Sequence, residues 1–389
     1  MKIRPFRAMR PNLEKVPRSN DFFNTVKDLY QNYATAGLFE PTDAEAMYIY
    51  QIKTIEGWKF TGLIACTDIA EYHDGNLKKH EKTIISNEEK QAKLLETRGA
   101  AIKPILLTYP AIEPLDNLLA DYIDRHRKYF VIELGGEKHR FWQITEGLIL
   151  KRIRQIFADR IPYAYIADGH HRAASFAALN ESAPNGKNDK LLCAYFPDHQ
   201  LKINAFHRLF NTLNGLSTAD FLEKLATVCY INPLSKAALP NRKFVMTMRV
   251  DDGRWFRLAW KTEILQNFAE GLVHLDVHLL NEKILKPILG VKNIRTDERL
   301  TYIDGTKSIN SIDKTAAAAE NRASEQLAML SRFDAVGDPG SLGKGVCFCL
   351  FPVSFPDLKA VVDDAGVMPP KSTFFEPRMK NGLLVYEIF

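Results

Sequence analysis

Long apolar runs are missing from this chain: no stretch approaches the roughly 18 consecutive apolar residues that a membrane span requires. The basic opening Met1-Lys2-Ile3-Arg4-Pro5-Phe6-Arg7 has no apolar run of the secretory type behind it. Cysteine is scarce. The five residues Cys66, Cys193, Cys229, Cys347 and Cys349 are odd in number and far apart, which excludes a closely spaced disulfide framework. They read as reduced core thiols, and a cytoplasmic location is expected. An excess of one charge is also lacking, since 52 Lys and Arg face 47 Asp and Glu and the net +5 is scattered. With no basic block and no helix-turn-helix signature, a nucleic-acid partner is not expected.

Several familiar motifs fail at a single position. From Gly366 to Lys371 the glycine that a phosphate loop needs before its lysine is Pro370, which has no N–H to give. At Gly343-Lys344 the first glycine is Asp338 and the hydroxyl position is Gly345. His274 and His278 have the spacing of a zinc-protease helix, but Leu275 stands where the glutamate belongs. Cys347 and Cys349 alternate along a strand with no second cysteine pair, which argues against a structural zinc site.

The remaining pattern is that of a globular protein, with 46% hydrophobic and 25% charged residues over 389 positions, enough for two or three structural units. Asn20 to Ala36 places Phe22, Phe23, Val26, Leu29, Tyr30 and Tyr33 on one helical face. Strands are predicted at Ala46–Ile52, Phe60–Asp68 and Lys103–Tyr109, and helices at Glu88–Arg98 and Leu115–His126. A hairpin turning at Gly135-Gly136 follows, then a helix capped by Thr145 with Leu148, Ile153, Ile156 and Phe157 inward. Further on, a hairpin is predicted around Asp252-Gly253, helices over Leu275–Leu289 and Lys314–Leu330, and a strand at Val346–Phe351. Strands and helices mixed with hairpins give an α+β (mixed α/β) class with mixed sheets and flanking helices.

The chemistry concentrates at Asp168-Gly169-His170-His171-Arg172, between the apolar strand Tyr163–Ala167 and a small-residue helix. Free N–H groups and the positive dipole end at that helix start favour an anion. Gly169 permits a sharp turn and a close backbone approach. Arg172 can fork onto a phosphate or carboxylate, and His170 and His171 can donate to phosphate oxygens or move a proton. Asp168 could hold Mg²⁺ or accept a hydroxyl proton. A capped helix with surface histidines explains Asp168 alone and accounts poorly for all five residues together. Two weaker clusters are the Lys78 to Thr83 turn, where His80 and Glu81 form an acid/base pair, and Met368 to Pro377, where Lys371, Ser372 and Thr373 suit a lid or a phosphate contact. A solvated charged loop is the plainer reading of the first, and a rigid surface crossing suits the second equally well.

Taken in order, Ile3 to Ala8, His80-Glu81-Lys82-Thr83, Ile166 to Arg172, His207-Arg208, Leu275 to Gly290 and Met368 to Phe375 resemble the bacterial and archaeal family called domain of unknown function 1015. The likeness runs nearly end to end. It departs at Pro17-Arg18-Ser19-Asn20-Asp21, where the family often carries a Pro-Tyr-Asp-Val-like segment. The central turn is also similar to the nucleotide-contacting turn of the ParB/sulfiredoxin-like fold, which includes partitioning proteins, sulfiredoxin and free-serine kinases. That likeness implies a nucleotide-binding core over residues 146–215, between an N-terminal region 1–145 and a C-terminal region 216–389.

It implies a small-molecule kinase using ATP or ADP with Mg²⁺, with free L-serine or a similar hydroxy acid as acceptor. Gly169, His170, His171 and Arg172 would hold the nucleotide, and Asp168, Glu81 and His80 would be catalytic, with Asp168 also at the metal. His207, Arg208, Lys371, Ser372 and Thr373 would bind substrate. The alternative is a non-catalytic nucleotide-binding regulator. A sulfiredoxin-like reductase would need a cysteine beside the turn, and the nearest in sequence is Cys193.

Overall fold

A computed structural model of the chain describes residues 1–81, 85–182, 189–266, 275–330, 342–364 and 366–388. It divides into two compact units, Met1–Lys202 with Phe375–Phe389, and Ile203–Phe374. The class is α+β with mixed sheets, as the alternation of patterns predicts. His274, Lys82 and Thr83 lie outside the described residues. Among the described residues no helix is long and apolar enough to cross a membrane.

The first unit is built on a nine-stranded sheet. Eight strands run in the order Leu77–Lys78, Ala164–Asp168, Ile105–Tyr109, Lys190–Pro197, Lys59–Asp68, Met47–Lys53, Glu137–Ile144 and Phe130–Leu134, and Ile3–Arg4 pairs with Lys59–Asp68. Strands from residues 1–145 and from 146–215 therefore share one sheet. Two pairings are parallel, Leu77–Lys78 with Ala164–Asp168 and Ile105–Tyr109 with Lys190–Pro197. The Gly135-Gly136 hairpin forms with Leu134 facing Glu137, both glycines having positive φ. Met47–Lys53 shows no alternation because both of its faces are covered: Met47 to Ile52 are all buried.

The helix expected from Thr145 spans Gly147–Arg160 and has no side-chain cap bond. Glu146 takes the cap position, and its carboxylate accepts from the Thr145 N–H and the Tyr122 hydroxyl. Ile153 and Phe157 face inward, as expected, but Leu148 is 84% exposed. Five positions separate Leu148 from Ile153, about 140° around a helix, which turns it away from the buried face.

In the second unit an antiparallel six-stranded sheet runs Cys229–Leu234, Trp255–Trp260, Val245–Val250, Leu342–Cys349, Phe206–Thr212, Leu300–Asp304. Leu209, Trp255, Ile303, Ile312, Ala316, Cys347 and Cys349 form a core between this sheet and the helix Ile309–Leu330. The single helix expected over Leu275–Leu289 starts as Asp276–Leu280 and widens into a π-turn at Asn281–Leu285. Buried Asp276 accepts from the Phe244 N–H and Trp260 Nε1, both at 2.9 Å.

The helix facing can be checked by urea unfolding. Leu148→Ser should change stability by less than about 0.5 kcal/mol, whereas Phe157→Ala should cost about 3–5 kcal/mol. A comparable loss at Leu148 would mean that the helix is rotated.

Candidate functional site

The strand Ala164–Asp168 carries its chemistry at its last residue. Its register against Ile105–Tyr109 slips there: Ile166 faces Leu107 and Asp168 faces Leu106, leaving Ala167 as an extra residue. Such a bulge bends a strand end and re-aims the side chain that follows. Gly169 then turns the chain with φ +105°, and the helix His170–Ser182 begins. The backbone angle favours glycine, and a Cβ there would lie 2.6 Å from Arg172 Nη2 and 2.9 Å from its Nε, so any side chain would push the folded guanidinium aside.

Asp168 meets three cations. Arg172 Nη2 donates to Oδ2 at 2.8 Å, Arg378 Nη1 donates to Oδ1 at 3.0 Å, and Lys103 Nζ lies 3.6 Å from Oδ2. Desolvation pushes the carboxyl pKa upward, but Arg172, Lys103 and Arg378 together outweigh it and hold the group well below the usual carboxylate range. Lys103 is pushed down to about 8, by burial first and then by Arg172 and Arg378, against the pull of Asp168. One negative charge thus stands among three positive ones, and Asp168 and Arg172 keep 25% and 23% of their side-chain surface open. Arg172 Nε and His171 Nδ1 have no hydrogen-bond partner among the described residues. The arrangement can take up an anion.

Mg²⁺ at Asp168 does not fit this donor set. Both carboxylate oxygens already face cations, and no group of three metal-ligating side chains occurs among the described residues. The same pairing makes Asp168 a poor proton acceptor.

His80 and His170 come together. Their rings meet edge to face at 4.5 Å, and the His80 N–H donates to His170 Nε2 at 3.4 Å. Phe375 lies 5.9 Å from the His80 ring. Both histidines are buried, and burial lowers both pKa values, His170 to about 4 and His80 well below the usual range. They are neutral at pH 7 and fix His80 against the helix start; Glu81, the next residue, is half-buried.

His207, Arg208, Lys371, Ser372 and Thr373 belong to the second unit. Arg208 is fully buried and donates to the carbonyls of Phe206, Pro370 and Lys371, with Tyr302 stacked at 4.6 Å from its guanidinium carbon. His207 Nδ1 accepts from the Leu350 N–H, and burial lowers its pKa to about 4. Ser372 donates to the Pro369 carbonyl. These bonds hold the Pro369–Lys371 segment in shape, including Lys371 at φ +56°, and burial takes His207 and Arg208 out of reach of a ligand.

The sequence model of the family described as protein of unknown function (DUF1015) matches residues 3–278. The chain belongs to this family. No curated protein matches it. Among solved structures it is similar to SbnI with C-terminal truncation from Staphylococcus aureus, at 13% identity and a TM-score of 0.39 over 82% of this chain and 87% of that one. It is similar to a conserved hypothetical protein from Pyrococcus furiosus at 11% identity and a TM-score of 0.37, over 82% and 94%. A free serine kinase variant in complex with AMP is similar at 11% identity and a TM-score of 0.39, over 82% and 92%. Likeness at this level says nothing of what the DUF1015 chain binds.

Lys103 and Arg378 are the site residues that sequence reasoning missed. Arg378 lies 210 positions from Asp168, and Lys103 stands two residues before the strand Ile105–Tyr109 in a segment that reads as ordinary strand. Only the pairing of Ile105–Tyr109 with Ala164–Asp168 would have pointed to Lys103.

The buried histidines give this DUF1015 protein an acid-sensitive first unit. His170 binds its proton more weakly folded than unfolded, so its contribution is complete above about pH 6.5 and is lost as the pH falls toward 4. Urea unfolding between pH 6.5 and 4.5 should lose about one proton's worth of slope in His170→Asn, roughly 1.4 kcal/mol per pH unit. Asp276, raised to about 6 by burial, acts with the opposite sign but equally in both proteins, so it drops out of the difference, which reads His170 together with its ring neighbour His80. An unchanged slope would show that His170 already titrates normally.

Proposed function

We propose that this protein is a phosphotransferase that moves a phosphoryl group from ATP or ADP to the hydroxyl of a small molecule, with free L-serine or a similar hydroxy acid as the first acceptor to test. The observation that carries the reading is the convergence of Arg172, Lys103 and Arg378 on Asp168, at a glycine turn that opens a helix. Phosphoryl transfer asks mainly for positioning and for neutralisation of charge on the transferred group. Excess fixed cations at a helix start supply both.

Arg172 and Lys103 hold the transferred phosphoryl oxygens, and the backbone at Gly169 gives a close approach without a side chain in the way. Asp168 keeps the cations apart and oriented, and acts through them as a positioning residue. Glu81, brought to the turn by the His80–His170 contact, takes the acceptor's hydroxyl proton. The acceptor oxygen bonds to phosphorus as the bond to the departing nucleotide oxygen breaks. The shorter nucleotide leaves.

The test is incubation of the full chain with Mg²⁺, ATP or ADP and a panel of hydroxylated metabolites including L-serine, with phosphorylated products read by mass spectrometry. A product should form, fall by at least about 100-fold in Arg172→Ala, and fall comparably in Glu81→Gln with nucleotide affinity kept. Nucleotide binding that Arg172→Ala abolishes, with no product from the wild-type protein, would instead support a regulatory nucleotide-binding protein. Neither product nor nucleotide binding would sink both readings.

A further inference from the structure

Beside the turn, within the first unit, lies a cavity of about 180 Å³. It is enclosed by the helices Ile85–Arg98 and His170–Ser182, the short strand Ala100–Ala101 and the segment Ile102–Ile105. Two kinds of wall meet in it. Lys27, Arg98, Lys103 and Arg172 supply positive charge, and no acidic side chain lines it among the described residues. Leu95, Ile105, Phe176 and Leu192 supply an apolar floor. The neutral amides of Gln91 and Asn381 complete the polar side.

We infer that this cavity binds a compact amphiphilic carboxylate, an acid group on a short branched or aromatic body, and that this is the acceptor class of the proposed transfer. The identity of the acceptor rests on that proposed function, whereas the binding itself does not. Size and chemistry both point this way. A cavity of roughly 150 Å³ holds a benzene-sized body, so this one suits an acid of about six to ten heavy atoms. Serine, the first acceptor to test, would leave the floor uncovered, so a hydroxy acid with an apolar body is the better-matched member of that acceptor class. A neutral alcohol would bring no counter-charge to a wall of four cations, and burial already holds Arg98 below its usual basicity.

Lys103 adds a signature. It faces Asp168, Arg172 and Arg378, and its pKa of about 8 follows from burial among those cations. An added carboxylate favours the ammonium form, so binding takes up a proton near pH 8.

The experiment is titration calorimetry of the full chain, without nucleotide, using isovalerate, 3-hydroxyisovalerate, isoamyl alcohol, L-serine and inorganic phosphate as probes. The two branched acids should bind at least about tenfold more tightly than the alcohol, serine or phosphate. Their affinity should fall about tenfold from pH 7 to pH 9. Arg98→Gln should weaken them by about tenfold or more. Leu95→Trp, which fills the floor, should abolish binding while circular dichroism and Tm confirm folding. Binding of the acids with no phosphorylated product in the presence of nucleotide would keep the cavity assignment and remove the kinase reading. Phosphorylation of serine with no preference for the branched acids would do the reverse. Equal binding of acid and alcohol, or acid binding unchanged in both variants, would overturn the inference.

Discussion

Around Asp168, three cations share one carboxylate within 3.6 Å, and much of the local backbone follows from that imbalance. Removing one member of a buried ion pair costs about 3–5 kcal/mol, because the partner is left charged and desolvated. Arg172 reaches the carboxylate from the first turn of its helix only because Gly169 leaves room for the guanidinium to fold back. Asp168 reaches it only because the bulge at Ala167 swings the strand end. Two backbone irregularities in three residues are tolerated because they serve one electrostatic arrangement.

Burial redistributes the roles that residue type alone suggests. A histidine near a phosphate site reads as a donor or a proton carrier, yet His80 and His170 are packed ring against ring with lowered pKa values. A neutral imidazole in that setting is worth more as a wedge than as an acid. Its contribution is geometric, since it ties the segment Leu77–Lys78, and the residues that follow, to the helix start. That leaves Glu81, the half-buried carboxylate next to His80, as the candidate proton acceptor, and leaves Asp168 to organise charge.

The local code was legible where a residue's neighbours in sequence decide its state. Alternation and glycine placement were sufficient for the Gly135-Gly136 hairpin, and the Asp168 to Arg172 turn stood out because a strand, a glycine and a helix start are consecutive. What could not be read was set by pairing at long range. Lys103 becomes a site residue through the strand order that puts Ile105–Tyr109 beside Ala164–Asp168, and Arg378 through the return of the chain's last segment to the first unit. Helical phase set the remaining errors: Leu148 looks like a core residue until the helix start is known.

Two arginines show how the same side chain is used in opposite ways. Arg208 is fully buried and its two Nη groups go to backbone carbonyls that stay where they are, while its Nε, like that of Arg172, has no partner among the described residues. Burial lowers its pKa to about 10, with no carboxylate to offset the loss of water, so its positive charge is spent on holding the Pro369–Lys371 segment. Arg172 is matched to a carboxylate that two other cations also claim, keeps part of its surface open, and retains an unused Nε donor. An incoming anion has no access to the first arrangement, which is fully buried. In the second it supplies the counter-charge that Asp168 alone cannot provide, so the interaction that holds the turn together is also the one a ligand would strengthen.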